Sequence, residues 1–381
     1  MLLTVDALRA DLHYAGNPLP VSPHLDRLAA RAVVFTKAYA TVTFTLGSLG
    51  SLMTGRYPEE LERSRGSWRQ RLGPNNVLLA ERVQQAGWDT VFLPGHELLA
   101  PQGGLAQGFD EVVEKWLSSR TTGKIALDDQ IAERAIDFIA VPKGLHEHYL
   151  LWAHFADPHF PYVEHEGFGQ LGSDQAGRYW QEVAWTDKQL GRILDSIEAL
   201  PPARRKRTIV IVTADHGESL GEHGAWTHGH HLWEEQVGVP LMFWLPGLEA
   251  RRISTPRSLV DVVPTLLDLL RLPHPSVSSP DALSGKTLVP DLLGFPPQRR
   301  LVHAQVRHDR VGSTECHMLI DGPWKLHLRG SLPTLVNLDE DPREQVDVAG
   351  KSPEELRRMQ ELLSAFRSRL RVVPPRDGVF E

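Results

Sequence analysis

The residues able to do chemistry in this chain gather in four short stretches. Asp6 closes the apolar run Leu2–Val5. The stretch TVTFTLGSLGSLMTG (41–55) offers Thr41, Thr43, Thr45, Ser48 and Ser51 within eleven residues, with no charge before Arg56. HFADPHFPY (154–162) supplies His154, Asp157 and His159. ADHGE (214–218) supplies Asp215, His216 and Glu218, and the chain runs on into GEHGAWTHGHH (221–231) with His223, His228, His230 and His231. Two carboxylates and an imidazole, Asp6, Asp215 and His216, form a divalent-metal set. Oxygen ligands suit Mg, Ca or Mn, and the imidazole extends the range to Zn. A hydroxyl beside such an ion loses its proton more easily and becomes a nucleophile. If a helix begins at Thr45, its first amides favour an anionic ester there. An uncharged stretch then lets metal, hydroxyl and anion meet. Singly, an Asp at a strand end is a turn or cap residue and a lone His is structural. The agreement of several strand ends favours a metal site.

Those ends belong to an alternation of strands and helices. Strands are expected at 2–5, 33–40, 89–94, 148–155, 207–214 and 239–245. Helices are expected from Pro23, capped by Ser22, at 77–86 with a stop at Gly87, near 127–139 and over 174–199. Apolar runs without alternation, separated by helices, predict a parallel sheet covered on both faces. Function in such sheets collects beyond the carboxyl ends of the strands. From about residue 273 to 300 the chain is rich in Pro and Ser and reads as a linker or long loop. Beyond it, strands near 302–307, 315–320 and 324–328 and a helix from 353 to 370 predict a small α+β subdomain over 301–381. Lys325 in that part reads as a surface strand residue.

Composition narrows the classes. The chain has 381 residues, 41% hydrophobic and 23% charged, as in a globular protein. A net charge of -7 argues against a nucleic-acid partner. The single cysteine, Cys316, leaves no intrachain disulfide. No apolar run reaches the ~18 residues of a membrane span, and no signal peptide is visible. The chain as given reads as cytoplasmic. Its first residues already form a core strand, however, so a preceding leader or anchor is expected as an alternative.

LLTVDALRAD, SPHLDRLAARAVVFTKAYA, SLMTGRYP, HFADPHFPY, VTADHGESLGEHG and HLWEEQVGVPLMF resemble successive blocks of the sulfatase family, part of the alkaline phosphatase superfamily. Later stretches, SLVDVVPTLLDLL and DGPWKLHL, resemble its C-terminal blocks. The resemblance implies an alkaline-phosphatase-like α/β sandwich, with a central mostly parallel sheet, a catalytic domain over 1–272 and a small α+β C-terminal subdomain. It implies one divalent metal ion (Mn, Ca, Mg or Zn) on Asp6, Asp215, His216 and Thr45. His159 and His228 would contact the substrate's anionic group or leaving oxygen, the charge of His228 depending on pH. Sulfatases proper carry a Cys or Ser that becomes formylglycine within C-x-P-S-R. The corresponding block here is Thr45-Leu46-Gly47-Ser48-Leu49, so Thr45 takes the nucleophile position, ten residues before Gly55, and no formylglycine is expected. Asp6-Ala7 stands where many relatives have two aspartates. The resemblance thus implies a hydrolase of phosphoric or sulfuric esters working through a covalent Thr45 intermediate, with phosphate mono- and diesters favoured. Its substrate would be a small-molecule or a lipid- or glycan-linked anionic ester. The alternatives are a phosphoglycerol- or phosphoethanolamine-type transferase and a silent anion-binding relative.

Overall fold

The strand ends named above do meet along one edge of one sheet. The computed structural model describes residues 1–65, 70–114, 127–140, 148–306 and 314–377. In chain order, β1 (Leu2–Val5), α1 (Pro23–Ala29), β2 (Val33–Tyr39), α2 (Thr45–Thr54), α3 (Leu79–Gln85), β3 (Asp89–Leu93) and β4 (Glu111–Val112) come first. Next are α4 (Asp128–Ala140), β5 (Tyr149–Phe155), α5 (Gln175–Glu198), α6 (Pro202–Arg205) and β6 (Val210–Ala214). A short hairpin, β7 (Ser219–Leu220) and β8 (Trp226–Thr227), then leads to α7 (Glu234–Val237) and β9 (Gly238–Trp244). The main body continues with β10 (Arg251–Ile253), β11 (Arg257–Ser258), α8 (Val262–Leu270) and α9 (Val289–Leu292). Last come β12 (Val302–Val306), β13 (Cys316–Asp321), β14 (Trp324–Arg329), β15 (Leu332–Asn337) and α10 (Pro353–Arg367).

Among the described residues, nine strands form the central sheet, in the order β10-β2-β9-β6-β1-β5-β3-β4, with β11 also paired to β2. The apolar runs that predicted it are buried on both faces: every residue of β1 and β6 is inaccessible. One strand departs from the parallel arrangement expected from the run 239–245. β9 lies antiparallel to both β2 and β6. The chain leaves β6 at Asp215, makes the β7–β8 hairpin at that same edge, and re-enters the sheet directly through α7. No crossover intervenes, so β9 must run back alongside β6.

Cap chemistry also differs from expectation at α1. The Ser22 side chain does not cap that helix; it donates to Asp26 Oδ1 at 3.1 Å. The amides of His24 and Leu25 are taken by the Asp187 carboxylate of α5, at 2.9 and 2.8 Å. A distant carboxylate has replaced the local hydroxyl at the positive helix end.

The C-terminal part is an antiparallel sheet, β12-β13-β14-β15, with α10 packed on one face. Strand β15 was not expected from the sequence, and the expected end of the first strand at 307 lies outside the described residues. Lys325 is not a surface residue. It sits within β14, fully buried, with its ammonium 2.8 Å from Glu234 and 3.0 Å from Glu344. No helix among the described residues is long and apolar enough to cross a membrane.

Candidate active site

The ladder of the central sheet sets the first two candidate ligands. The amide of Asp6 donates to Phe155 O at 2.8 Å, and that of Asp215 to Val5 O at 3.3 Å. Both aspartates are therefore fixed at the carboxyl edge, one step beyond β1 and β6, and both are wholly buried. Ala7 follows in a left-handed conformation, φ 57°, which non-glycine residues seldom adopt. That turn aims its amide at Asp215 Oδ1, 3.1 Å away, while the His216 amide binds the same oxygen at 2.8 Å. Oδ1 is thus used up and Oδ2 is left over. His216 Nδ1 donates to Gly217 O at 2.9 Å, which fixes the tautomer and leaves the Nε2 lone pair free.

Those free atoms converge. His216 Nε2 lies 3.6 Å from Asp6 Oδ1 and 3.5 Å from Asp215 Oδ2. Both Asp6 oxygens, Asp215 Oδ2 and His216 Nε2 are buried with no hydrogen-bond partner. Orphaned buried polar atoms of this kind are costly. An ion with bonds of about 2.1 Å holds neighbouring ligands roughly 3 to 3.5 Å apart, close to the spacing seen. The set Asp6, Asp215 and His216 therefore fits a divalent ion in geometry and donor type.

Electrostatics point the same way. Burial works against the Asp6 charge, yet His159, His154 and His216 together hold its carboxyl well below the usual range. Burial, then the nearby Asp6, push Asp215 up to about 7. Two buried carboxylates this close call for a cation. His216 is pushed down by burial, which keeps it neutral and able to ligate.

Helix α2 begins at Thr45, and its first turn is tied to the same strand edge. The amide of Ser48 completes the first turn onto Phe44 O, and the Ser48 hydroxyl donates to Asp215 O at 2.5 Å. Ser48 lies three residues after Thr45, on the same helix face, so this bond ties the Thr45 end of α2 to the Asp215 edge. Thr43 also has a structural partner, donating to His231 O at 3.2 Å. Thr45, the first residue of the helix, is 7% exposed.

Histidines line the other side. The His228 ring is 4.3 Å from that of His216 and 4.9 Å from that of His159. His159 Nδ1 donates to Phe160 O at 2.5 Å, leaving Nε2 available. His228 Nδ1 lies 3.2 Å from both oxygens of Glu218. Burial pushes Glu218 up to about 8, and burial with the His159 charge pushes His228 down to about 3. At neutral pH this pair is acid and neutral imidazole, and His228 offers an uncharged N–H. Sequence analysis expects a pH-dependent charge on His228; burial and the neighbouring His159 move that titration down to about 3.

Other predicted residues go elsewhere. Asp157 accepts the amides of Leu127 and Asp128 at the start of α4, at 3.0 and 3.2 Å. His223 turns to Glu235 and stacks on Trp233. Two residues have more prominent places than the sequence suggested. His154 faces Asp6 Oδ2 at 3.7 Å, its other nitrogen held by Thr4 at 2.8 Å. Only the β1–β5 register, which pairs Thr4 with His154, reveals that closeness. His96, in the loop after β3, lies 5.6 Å from the His159 ring. The rule that function gathers at carboxyl strand ends, applied to β3 as well, points to it.

A mostly parallel sheet with this cluster at its carboxyl edge defines an alkaline-phosphatase-like hydrolase fold. The sulfatase family model matches residues 1–272, and the chain belongs to that family. It is 26% identical to an uncharacterised sulfatase, YidJ, of Escherichia coli, over 69% of this chain and 65% of that protein. It is 27% identical to human N-acetylgalactosamine-6-sulfatase, over 77% and 65%. The chain thus spans just under two thirds of these relatives. Among solved structures, a phosphonate monoester hydrolase of Agrobacterium radiobacter shares the fold with a TM-score of 0.73 at 20% identity, covering 96% of this chain and 95% of that one. A 2-O GAG sulfatase gives 0.77 at 18%, covering 100% and 98%.

Proposed function

We propose that this protein is a metal-dependent hydrolase of phosphoric or sulfuric esters, that Thr45 is its nucleophile, and that phosphate mono- and diesters are preferred. The observation that carries this reading is the convergence of the orphaned Asp6, Asp215 and His216 atoms at the edge to which Ser48 ties the N-terminal end of α2. A divalent ion there, identity open among Mn, Ca, Mg and Zn, supplies positive charge that acidifies an adjoining hydroxyl and neutralises an anionic ester. Thr45 Oγ1 attacks the phosphorus or sulfur. The first amides of α2 and the N–H of His228 hold the oxygens of the transferred group. His159, in its protonated form, passes a proton from Nε2 to the departing oxygen. Water then cleaves the threonine ester.

The phosphate preference rests on the chemistry of Thr45. A formylglycine diol expels sulfate by collapsing to an aldehyde, which a threonine ester cannot do. It must be resolved by attack at the transferred group, and such attack is better suited to phosphorus. The competing reading is sulfate-ester hydrolysis, toward which the named sulfatase relatives point. A panel of chromogenic phosphate monoesters, phosphate diesters, phosphonates and sulfate esters, assayed with several divalent metals, separates the two. The highest kcat/KM is expected on a phosphoester. A clear preference for sulfate esters overturns the proposed preference.

A further inference from the structure

A second group of metal-binding side chains is buried where the small sheet meets the main body. Glu59 lies on the 3-10 turn Pro58–Glu60 that follows α2, His303 on β12 and His317 on β13. Register pairs Gln305 with His317 and His303 with Leu319, so the two histidines are diagonal neighbours on the face covered by α10. One ligand atom from each of the three residues lies within 4.8 Å of the others. His303 is fully buried, His317 is 3% exposed and Glu59 is 9% exposed.

The two imidazoles share one long hydrogen bond, and the remaining polar atoms of the group are left over. His303 Nε2 is 3.4 Å from His317 Nδ1, and His303 Nδ1 is 4.0 Å from Glu59 Oε1. Both Glu59 oxygens and His303 Nδ1 have no hydrogen-bond partner. The Glu315 carboxylate lies 3.2 Å from the far nitrogen of His317, off the line of a hydrogen bond, and Arg367 stands 3.7 Å behind it. Tyr57 and Phe366 press on the His303 ring at 5.7 and 5.0 Å. Burial pushes the Glu59 carboxyl up to about 7, and at 4.0 Å from His303 Nδ1 it is beyond hydrogen-bond reach in either protonation state.

We propose that Glu59, His303 and His317 bind a structural divalent cation of the zinc type, which clips the turn after α2 to the C-terminal sheet. Two imidazoles select zinc, cobalt or nickel over magnesium or calcium. A tetrahedral ion with Zn–N bonds of about 2.0 to 2.1 Å places its ligands about 3.4 Å apart, and one ligand atom from each of the three residues already lies within 4.8 Å of the others. Glu59 closes the third edge with a flexible side chain, and water takes the fourth position. Glu315 is placed to orient His317 from behind.

The test counts zinc in a background where the Asp6–Asp215–His216 set is disabled. Asp215→Asn protein is stripped with chelator, reloaded with zinc, dialysed and analysed by mass spectrometry. It is expected to keep one equivalent, which the Asp215→Asn/His303→Gln and Asp215→Asn/Glu59→Gln doubles lose. Zinc is expected to raise the melting temperature of Asp215→Asn protein but not of the doubles. Should the doubles fail to fold, cobalt loaded into Asp215→Asn decides: a visible d–d absorption displaced by zinc supports the site. No retained zinc in Asp215→Asn, no such absorption, or zinc unchanged in folded doubles overturns it.

Discussion

Asp215 holds a position that no other residue can take over. One of its oxygens is spent on two backbone amides, and the other is buried without a hydrogen-bond partner, 3.5 Å from His216 Nε2. Asp215→Asn keeps the first role and removes the charge. Loss of a partner behind a ligand costs roughly 10- to 100-fold in metal affinity, so loss of the ligand itself should cost more. Metal at this centre, measured with the ion that supports turnover, and turnover itself are expected to fall together. Full activity in a metal-free preparation would count against the metal role. Thr45 bears the second residue-scale prediction. With Thr43 and Ser48 bonded to backbone carbonyls, Thr45 is the hydroxyl at the helix start. Thr45→Ala should fold as the parent does and lose roughly three orders of magnitude in rate. Mass spectrometry should find residue 45 transiently phosphorylated with a slow substrate. Near-parental turnover in Thr45→Ala would refute the assignment.

Elements are joined by a buried ionic network between α7 and β14. Lys325 binds Glu234 and Glu344, His327 Nε2 lies 2.7 Å from Glu344, and Glu344 accepts the Glu234 amide at 2.6 Å. Burial opposes the Glu344 charge, but Lys325 and His327 outweigh it and hold the carboxyl at about 2. A depressed acid contributes stability above its unfolded value, about 4.3, and loses it as pH falls toward the folded value. Melting temperature is therefore expected to drop between pH 4.3 and about 2, and the Glu344→Gln variant should show less of that drop. At neutral pH, Glu344→Gln leaves Lys325 short of a partner and should cost roughly 3 kcal/mol by denaturant unfolding. An unchanged midpoint would show the network to be dispensable. Because α7 ends the His-rich loop, this network also anchors one end of the segment that carries His228.

At the scale of the whole molecule, the two sheets share apolar contacts. Tyr39, Leu232 and Val237 of the main body cluster with Val302, Ala304, Val306, Met318 and Ile320 of the small sheet. Residues of the Pro/Ser-rich stretch also enter the main core: Leu288 and Leu292 are fully buried there, and Asp291 pairs with the buried Arg257 at 2.7 Å. Surfaces that bury each other in this way unfold together. Calorimetry is expected to give one cooperative transition for both parts. Two well-separated transitions would mean that the C-terminal sheet is an independent unit.

The sequence by itself determined the sheet, the strand ends where polar residues collect and the three residues whose orphaned atoms converge. These are local matters: buried strands read as unbroken apolar runs, and a polar residue ending such a run must lie at the sheet edge. Asp6, Asp215 and His216 could be named from that rule alone, and the order of motifs named the family. Tertiary structure decided what depends on partners distant in the chain. β9 runs backward because α7 returns the chain at the same edge, which no pattern within 239–245 encodes. Lys325 is buried because Glu234 and Glu344, far away in sequence, neutralise it. Asp187 displaces Ser22 as a cap, and burial beside His159 pushes the His228 imidazole down. His154 nears Asp6 through strand register. Glu59, His303 and His317 lie on separate elements with nothing in their spacing to join them. Local propensity acts through near neighbours in the chain, whereas burial and charge act through space, and only the folded chain fixes those distances.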